Sequence, residues 1–501
     1  MAHTPIDSIR NGISGFRKSH MSPHRRRPAT AQEQPQTGLF PTAHEAEAAT
    51  RRRKRRPSAL RRLVNAWWTR LLTSIYQGSL GKQEAEYEEH ATNLDYIWNT
   101  VGTSLWGCSF PLLTIVATQL AGAEEAGMFS LAFVTGTLLM IACNYGVRNH
   151  QVSDIEEEAS FASYQLNRWI CAAIALVAGL TYSSLRGYDA HMATISLGVY
   201  LYKVVDGIAD VYEGRLQQAD KLYLGGISQT ARSAGVCAVF SLLLFITRDM
   251  AVAAMGMGVA AIASLVLLTV PLALLETEKS RRVSLGEVGR LFARCLPLFG
   301  ALFLFNLIES MPKFVMEGAL PYKNQLYFNA LYFPAQGILL AIGFVYKPQL
   351  VRLSNIWANP RKRRRFDLII AAVMAVIVAI TAAVGFFMGM WGIQLMSLLY
   401  GLNFENYRTL AYLMVLAGGI TAAIDFLYAI ITVLRRTGDV MRIYLICFVA
   451  SAVLPMILVN LLGLTGAVIS YVAVMALLLV LLVLEYVRIR QRITRERNPF
   501  H

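Results

Sequence analysis

The stretch MATISLGVYLYKVVDGIADVY, residues 192–212, decides the fold. It is long enough to cross about 30 Å of hydrocarbon as a helix, which takes about 20 residues. Its charged residues, Lys203, Asp206 and Asp210, fall at i, i+3 and i+7, which is one helical face. An ionisable side chain facing lipid costs several kcal/mol, so that face must meet other helices or a wet cavity. A single span of this kind cannot stand alone. It needs a bundle around it.

The rest of the chain supplies one. Of its 501 residues 55% are hydrophobic and 16% charged, against about a quarter charged in an ordinary soluble domain. From about residue 94 onward, apolar stretches of spanning length are expected at 95–119, 126–146, 166–186, 192–212, 224–246, 250–275, 294–316, 326–346, 367–391, 409–433, 441–460 and 462–485. The expected fold class is an all-α integral membrane protein of about twelve transmembrane helices. Residues 94–275 and 294–487 form two six-helix bundles, joined by a loop over 276–293 and followed by a basic tail over 488–501.

Upstream of the spans the composition changes. Residues 1–57 lack periodicity and carry the runs Arg25–Arg27 and Arg51–Arg56, which reads as a disordered basic cytoplasmic tail. No apolar stretch precedes a small-residue cleavage site, so no secretory signal is expected. Over 58–80 apolar residues recur at helical spacing around the adjacent Trp67 and Trp68, with Arg61, Arg62 and Arg70 on the other face. That pattern fits an interfacial amphipathic helix leading into a linker that ends near residue 92; a helix packing on a partner protein is the alternative. Residues 1–92 hold 16 Lys and Arg against 8 Asp and Glu, within a net charge of +15. Next to apolar spans, the partner expected for this excess is anionic lipid rather than nucleic acid.

Loop charges orient the chain. With the N-terminus inside, the cytoplasmic loops hold Lys279, Arg281, Arg282, Arg290, Arg294, Lys347, Arg352, Arg361 to Arg365, Arg435, Arg436 and Arg442, whereas the outer loops hold Arg186, Arg248, Lys323 and Arg408. The positive-inside rule then gives both termini in the cytoplasm of a bacterial-type membrane. The halves also look duplicated. Phe110-Pro111 with Gly127-Met128-Phe129 parallels Met311-Pro312 with Leu326-Tyr327-Phe328, and the second and eighth spans end at Arg148 and Lys347. Two six-helix copies insert the same way up, which gives a pseudo-two-fold along the membrane normal.

No phosphate-binding glycine loop, nucleophile elbow or His-Glu-x-x-His is present, and an enzyme is not expected. The six cysteines are scattered singly and suggest neither disulfides nor a metal site; no cofactor is expected. Gly256 and Gly258 lie inside an apolar span and read as close helix packing.

The buried charges are the candidate site. Besides Lys203, Asp206 and Asp210, the seventh span carries Asn306, Glu309 and Lys313, with Arg232 in the fifth and Asp425 in the tenth. Spread over four spans, these groups are expected to line one central cavity. Lys203 and Arg232, with Arg148 and Arg215 at its mouth, suit an anionic head group such as a pyrophosphate; Lys313 is a further cavity cation. Asp206, Asp210, Glu309, Asp425 and Asn306 are candidates for coupling protons or bonding sugar hydroxyls. Blander readings stand beside these: Lys203 and Asp206 neutralising each other, Arg232 snorkelling to the membrane surface, and Glu309 with Lys313 as a local pair.

Residues 94–487 resemble the polysaccharide-transporter, Wzx-like branch of the multidrug/oligosaccharidyl-lipid/polysaccharide (MOP) flippase superfamily. The resemblance is carried by Tyr145-Gly146-Val147-Arg148 with Val152-Ser153-Asp154, by Lys203, Asp206 and Asp210 followed by Tyr212-Glu213-Gly214, and by Met311-Pro312-Lys313. Phe333-Pro334, Val345-Tyr346-Lys347-Pro348 and Leu399-Tyr400-Gly401 add to it. It implies alternating access by two bundles to an undecaprenyl-pyrophosphate-linked oligosaccharide, with polysaccharide-biosynthesis proteins as candidate partners. The basic N-terminal extension departs from that pattern. A cation-coupled multidrug exporter of the same superfamily is the alternative, though it would be expected to have fewer cavity cations. A polymerase or ligase would need a larger outer loop than residues 392–408. If the N-terminal segment is peripheral, deleting residues 1–80 leaves insertion intact; a truncated chain absent from the membrane fraction would refute that assignment.

Overall fold

The computed structural model describes residues 80–497 apart from Ile155, Lys279, Arg281, 347–349, 351–352, 354–355, 358–362 and 435–436. The expected tail over 1–57, the amphipathic segment up to residue 79 and Lys347 of the proposed repeat lie outside the described residues. Twelve described helices are long and apolar enough to span a membrane: α1 (Leu94–Ala121), α2 (Ala123–Ser153), α3 (Phe161–Leu185), α4 (Ala190–Gln218), α5 (Leu222–Thr247), α6 (Met250–Glu276), α7 (Leu285–Met316), α8 (Lys323–Tyr346), α9 (Arg364–Tyr400), α10 (Glu405–Val433), α11 (Val440–Leu462) and α12 (Leu464–Gln491).

The boundaries differ from expectation where polar helix formers extend an apolar core. The first helix starts at Leu80, because the Glu- and Ala-rich run before Leu94 has high helix propensity. The segment expected as linker up to residue 92 is therefore helical from there. The seventh begins at Leu285, which shortens the connector expected over 276–293, and the last helix runs to Arg497 within the expected tail. In α9 a π-turn at Met388–Gly392 carries the helix on to Tyr400, so much of the expected outer loop is helical. Short polar caps set other starts: Asp189 accepts the amide of Met192 at the head of α4, and Asp249 that of Ala251 at the head of α6.

The two halves repeat one packing scheme. Helix α1 packs on α5 as α7 packs on α11; α2 packs on α4 as α8 on α10; α4 on α6 as α10 on α12; and α3 on α4 as α9 on α10. Close approach inside each half depends on small residues. A Cβ at Gly198 would sit 2.4 Å from the carbonyl of Ala254 in α6, and one at Gly258 would sit 2.9 Å from the carbonyl of Gly198.

Between the halves α2 meets α8, and α7 reaches α2 and α3. We call the end bearing residues 277–284 the connector end and the opposite one the far end. At the connector end Glu287 of α7 accepts from the hydroxyls of Ser160 and Ser163 at 3.2 and 2.7 Å, at the head of α3. At the far end Glu317 accepts from Arg186 at 3.0 Å, Tyr188 at 2.7 Å and Tyr182, around the end of α3. Burial and the bond to Glu317 hold the Tyr188 phenol well above its ordinary pKa, so it remains a donor through the neutral range. Nearby, Glu124 of α2 accepts from the amides of Tyr322 and Lys323 at 2.9 and 3.2 Å, at the start of α8, a placement that also suits the helix dipole.

Replacing Gly198 by Leu should overpack the α4–α6 contact and cost on the order of 1–3 kcal/mol. The same change at Gly235, where a Cβ meets nothing within 4 Å, should cost far less. Thermal unfolding of the purified chain in detergent compares the two; equal losses would refute the close-packing account.

Candidate functional site

Charged residues on α4 follow one stripe, and the structure shows it to be longer than Lys203, Asp206 and Asp210. The same spacing continues to Glu213 and Gln217. This stripe faces α1, α2, α3 and α5. Arg232 of α5 donates from Nε to Asp206 at 2.6 Å and from Nη1 to Glu213 at 2.8 Å. Trp106 of α1 donates its indole N–H to the other oxygen of Asp206 at 2.6 Å. Arg148 donates to Asp210 at 2.7 Å and to Gln217 at 3.0 Å, and its Nη1 lies 4.0 Å from Glu213. Arg168 of α3 completes the chain, donating to Asp210 at 2.9 Å and to Asn144 at 2.6 Å.

Backbone geometry places Arg148. Tyr145 and Gly146 both adopt left-handed conformations, at φ 49° and 66°, so α2 breaks there and restarts at Val147. Such a conformation costs roughly 1–2 kcal/mol at a non-glycine residue. Here the Tyr145 ring stacks on Phe299 of α7 at 4.4 Å.

The network has two unequal ends. Lys203 is buried with its ammonium 3.9 Å from Asp206, and it lies over the rings of Phe133, Tyr202 and Trp106 at 4.2, 4.7 and 5.0 Å. Its pairing with Asp206 is thus loose, since both oxygens of that carboxylate are taken by closer donors. Arg148 and Asp210, with side chains 31% and 16% exposed, are the open end. They line a cavity of about 230 Å³ together with Asn144, Asn306, Phe299 and Leu302. The cavity lies between the halves, with α2 and α4 on one wall and α7 on the other. Asn306 turns one amide N–H to the carbonyl of Leu302.

The structure therefore divides the expected single chamber. Asp210, Arg148 and Asn306 line the cavity between the bundles. Lys203, Asp206 and Arg232 sit behind them within the first bundle, because two carboxylates there satisfy the Arg232 guanidinium; Arg232 is buried and does not reach the membrane surface. Arg215 is held at the connector end by Glu157 at 2.5 Å. Three candidates stay within the second bundle. Glu309 accepts from Tyr332 and, at 3.3 Å, from Tyr471. Lys313 lies over the rings of Tyr332 and Phe328 at 5.3 and 5.8 Å. Asp425 accepts from Tyr346 at 2.6 Å. Phenol hydroxyls supply hydrogen bonds to these carboxylates within the second bundle, which keeps them apart from the first bundle's charges.

Sequence reasoning missed Glu213, Arg168 and Trp106 as site residues. Glu213 was detectable, since it extends the spacing of Lys203, Asp206 and Asp210. Arg168 falls near the start of a span expected from residue 166, and the structure begins that helix at Phe161, which puts Arg168 two turns inside. No group of three or more His, Cys, Asp and Glu suited to a metal occurs among the described residues.

Removing one partner from a buried ion pair costs roughly 3–5 kcal/mol, because it leaves a charge without compensation. Asp206→Ala leaves Arg232 with Glu213 alone and the Trp106 indole without its acceptor, and should lose stability toward the lower end of that scale. Lys203→Met, which removes the loosely paired charge at similar volume, should cost less than about 1.5 kcal/mol. Thermal unfolding in detergent tests the contrast; a larger loss for Lys203→Met would overturn this view of the network.

Compared by sequence, the chain matches no family model and no curated protein. Compared by structure, it is similar to a multidrug resistance MATE family transporter of the MOP superfamily in an inward-facing conformation, with a TM-score of 0.61 and 11% identity over 79% of this chain and 96% of that one. It is also similar to the MATE multidrug transporter DinF-BH, at 0.54 and 12% identity over 80% and 95% of the two chains. A third likeness, at 0.52 and 13% identity over 81% and 96%, is to a MOP superfamily transporter from Pyrococcus furiosus described as having a binding pocket of reverse polarity. The chain has the twelve-helix, two-bundle fold of the MATE transporters of the MOP superfamily.

Proposed function

We propose that the chain is a flippase that moves a lipid-linked oligosaccharide across the bacterial cytoplasmic membrane by alternating access between its two bundles. The observation that carries this reading is the charge of the cavity wall. Asp210, the carboxylate exposed there, is bracketed by Arg148 and Arg168. Along the whole network, the four cations Lys203, Arg232, Arg148 and Arg168 meet the three carboxylates Asp206, Glu213 and Asp210, leaving one positive charge. Such a wall attracts an anion such as a pyrophosphate, and Arg148 can offer it charge-assisted hydrogen bonds. Phe299 and Leu302 supply apolar surface, while Asn306 can bond a sugar hydroxyl.

Orientation follows from the same charges. Arg282, Arg290, Arg294, Arg442, Arg488 and Arg490 gather at the connector end, which we place in the cytoplasm by the positive-inside rule. The cavity then lies on the side where a lipid-linked precursor is made, and the Glu317 and Glu124 ties hold the halves together on the outer side. Export of a lipophilic cation is the second reading, favoured by the carboxylate of Asp210 on the cavity wall. Its two arginine partners weigh against it, since binding a cation there would displace an existing ion pair.

Losing a hydrogen bond to a charged group costs about 1.5–3 kcal/mol, and every 1.4 kcal/mol is about tenfold. Arg148→Ala should therefore slow translocation of a lipid-linked oligosaccharide in proteoliposomes by at least about tenfold. Lys203→Ala should also slow it by removing the network's surplus positive charge. Wild-type rates in both variants, at equal membrane levels, would reject the anion site. Changed drug efflux with glycan transport intact would favour the second reading.

A further inference from the structure

A second cavity lies away from the seam. At the connector end, α11 and α12 of the second bundle enclose a groove of about 280 Å³ with Arg442, Glu485 and Arg488 among its lining residues. Ile446, Leu481 and Leu484 also line it. By helix rise, Ile446 lies about 6 Å deeper along α11 than Arg442, and Leu484 about 6 Å deeper along α12 than Arg488. Polar groups thus mark one end of the groove and apolar groups the other. The apolar wall continues onto the outer surface, where Leu445, Val449 and Val480 are each more than half exposed. On a membrane-spanning bundle, that surface meets acyl chains.

The charged end is incompletely matched. Glu485, mostly buried, lies 3.5 Å from Arg488, and Arg442 is exposed with no hydrogen bond or ion pair to the chain among the described residues. Two guanidinium groups against one carboxylate leave one positive charge, at the depth where a helix end meets the head groups. We propose that this groove holds one anionic phospholipid, its phosphate between Arg442 and Arg488 and its acyl chains along the α11–α12 face. Arginine suits a phosphate because its planar fork can donate two parallel hydrogen bonds. Glu485 holds Arg488 in place and can accept from a head-group hydroxyl. A lipid of single negative charge neutralises the site, whereas a zwitterionic lipid leaves the surplus in place. Basic pockets between spans are a general mode of head-group recognition.

The test uses the full chain, purified and delipidated in detergent, and titrated separately with phosphatidylglycerol, phosphatidylethanolamine and inorganic phosphate. Native mass spectrometry counts bound lipid, and thermal unfolding reads stabilisation. Phosphatidylglycerol should bind and raise the unfolding midpoint, with the other two at least about tenfold weaker. Arg442→Gln with Arg488→Gln should abolish that preference, and Arg442→Lys, which keeps the charge without the fork, should restore it in part. Arg408→Gln, at the far end, should leave binding unchanged. The proposal is overturned if phosphatidylethanolamine or free phosphate binds as tightly, if the double variant keeps the preference, or if Arg408→Gln loses it.

Discussion

One guanidinium organises the first bundle. Arg232 lies inside a span, where an uncompensated charge would drive the helices apart, and it is retained because Asp206 and Glu213 of α4 grip it from two sides. A buried pair gives little net stability compared with well-packed apolar residues of the same volume, since desolvation offsets most of the attraction. What it gives is register. The Arg232 position on α5 is read by two carboxylates two turns apart on α4, so sliding either helix by one turn breaks both bonds. The Trp106 bond shares the Asp206 carboxylate and so holds α1 to the same alignment.

From that fixed pair the charge chain leads outward. Glu213 links Arg232 to the neighbourhood of Arg148, and Arg148 with Asp210 reaches the cavity between the halves. The second bundle uses a different chemistry for its buried acids, satisfying Glu309 and Asp425 with tyrosine hydroxyls. The two halves thus share a helix arrangement while one concentrates ions and the other disperses them. A shared packing scheme does not require matching polar interiors.

Much of the fold was legible in the sequence because apolar length is a one-dimensional property. Twelve stretches of spanning length are visible before any contact is known, and twelve such helices occur among the described residues. Ends were harder to place. Leu285 begins a helix nine residues before the expected span since its first turns are amphipathic rather than apolar. The site was legible where spacing on one helix carries it, as for Lys203, Asp206, Asp210 and the overlooked Glu213. Partners on other helices were not. That Arg232 meets Asp206, or that Tyr346 meets Asp425, depends on helix rotation, and periodicity within one segment does not fix which neighbour a face meets. The ties of Glu317 and Glu287 were hidden for the same reason, lying at loop edges where an acid looks like ordinary surface.

Those two ties have a mechanical consequence. Glu287 and Glu317 bracket α7, and the residues they hold, Ser160 and Ser163 at one end and Tyr182, Arg186 and Tyr188 at the other, bracket α3. Two parallel rods pinned together at both tips cannot slide lengthwise past each other without breaking a pin. They can still roll. While both pins hold, the halves can swing about the line where α3 and α7 touch, like a door on its post, once the latch that Glu124 of α2 makes with the amides at the start of α8 has parted.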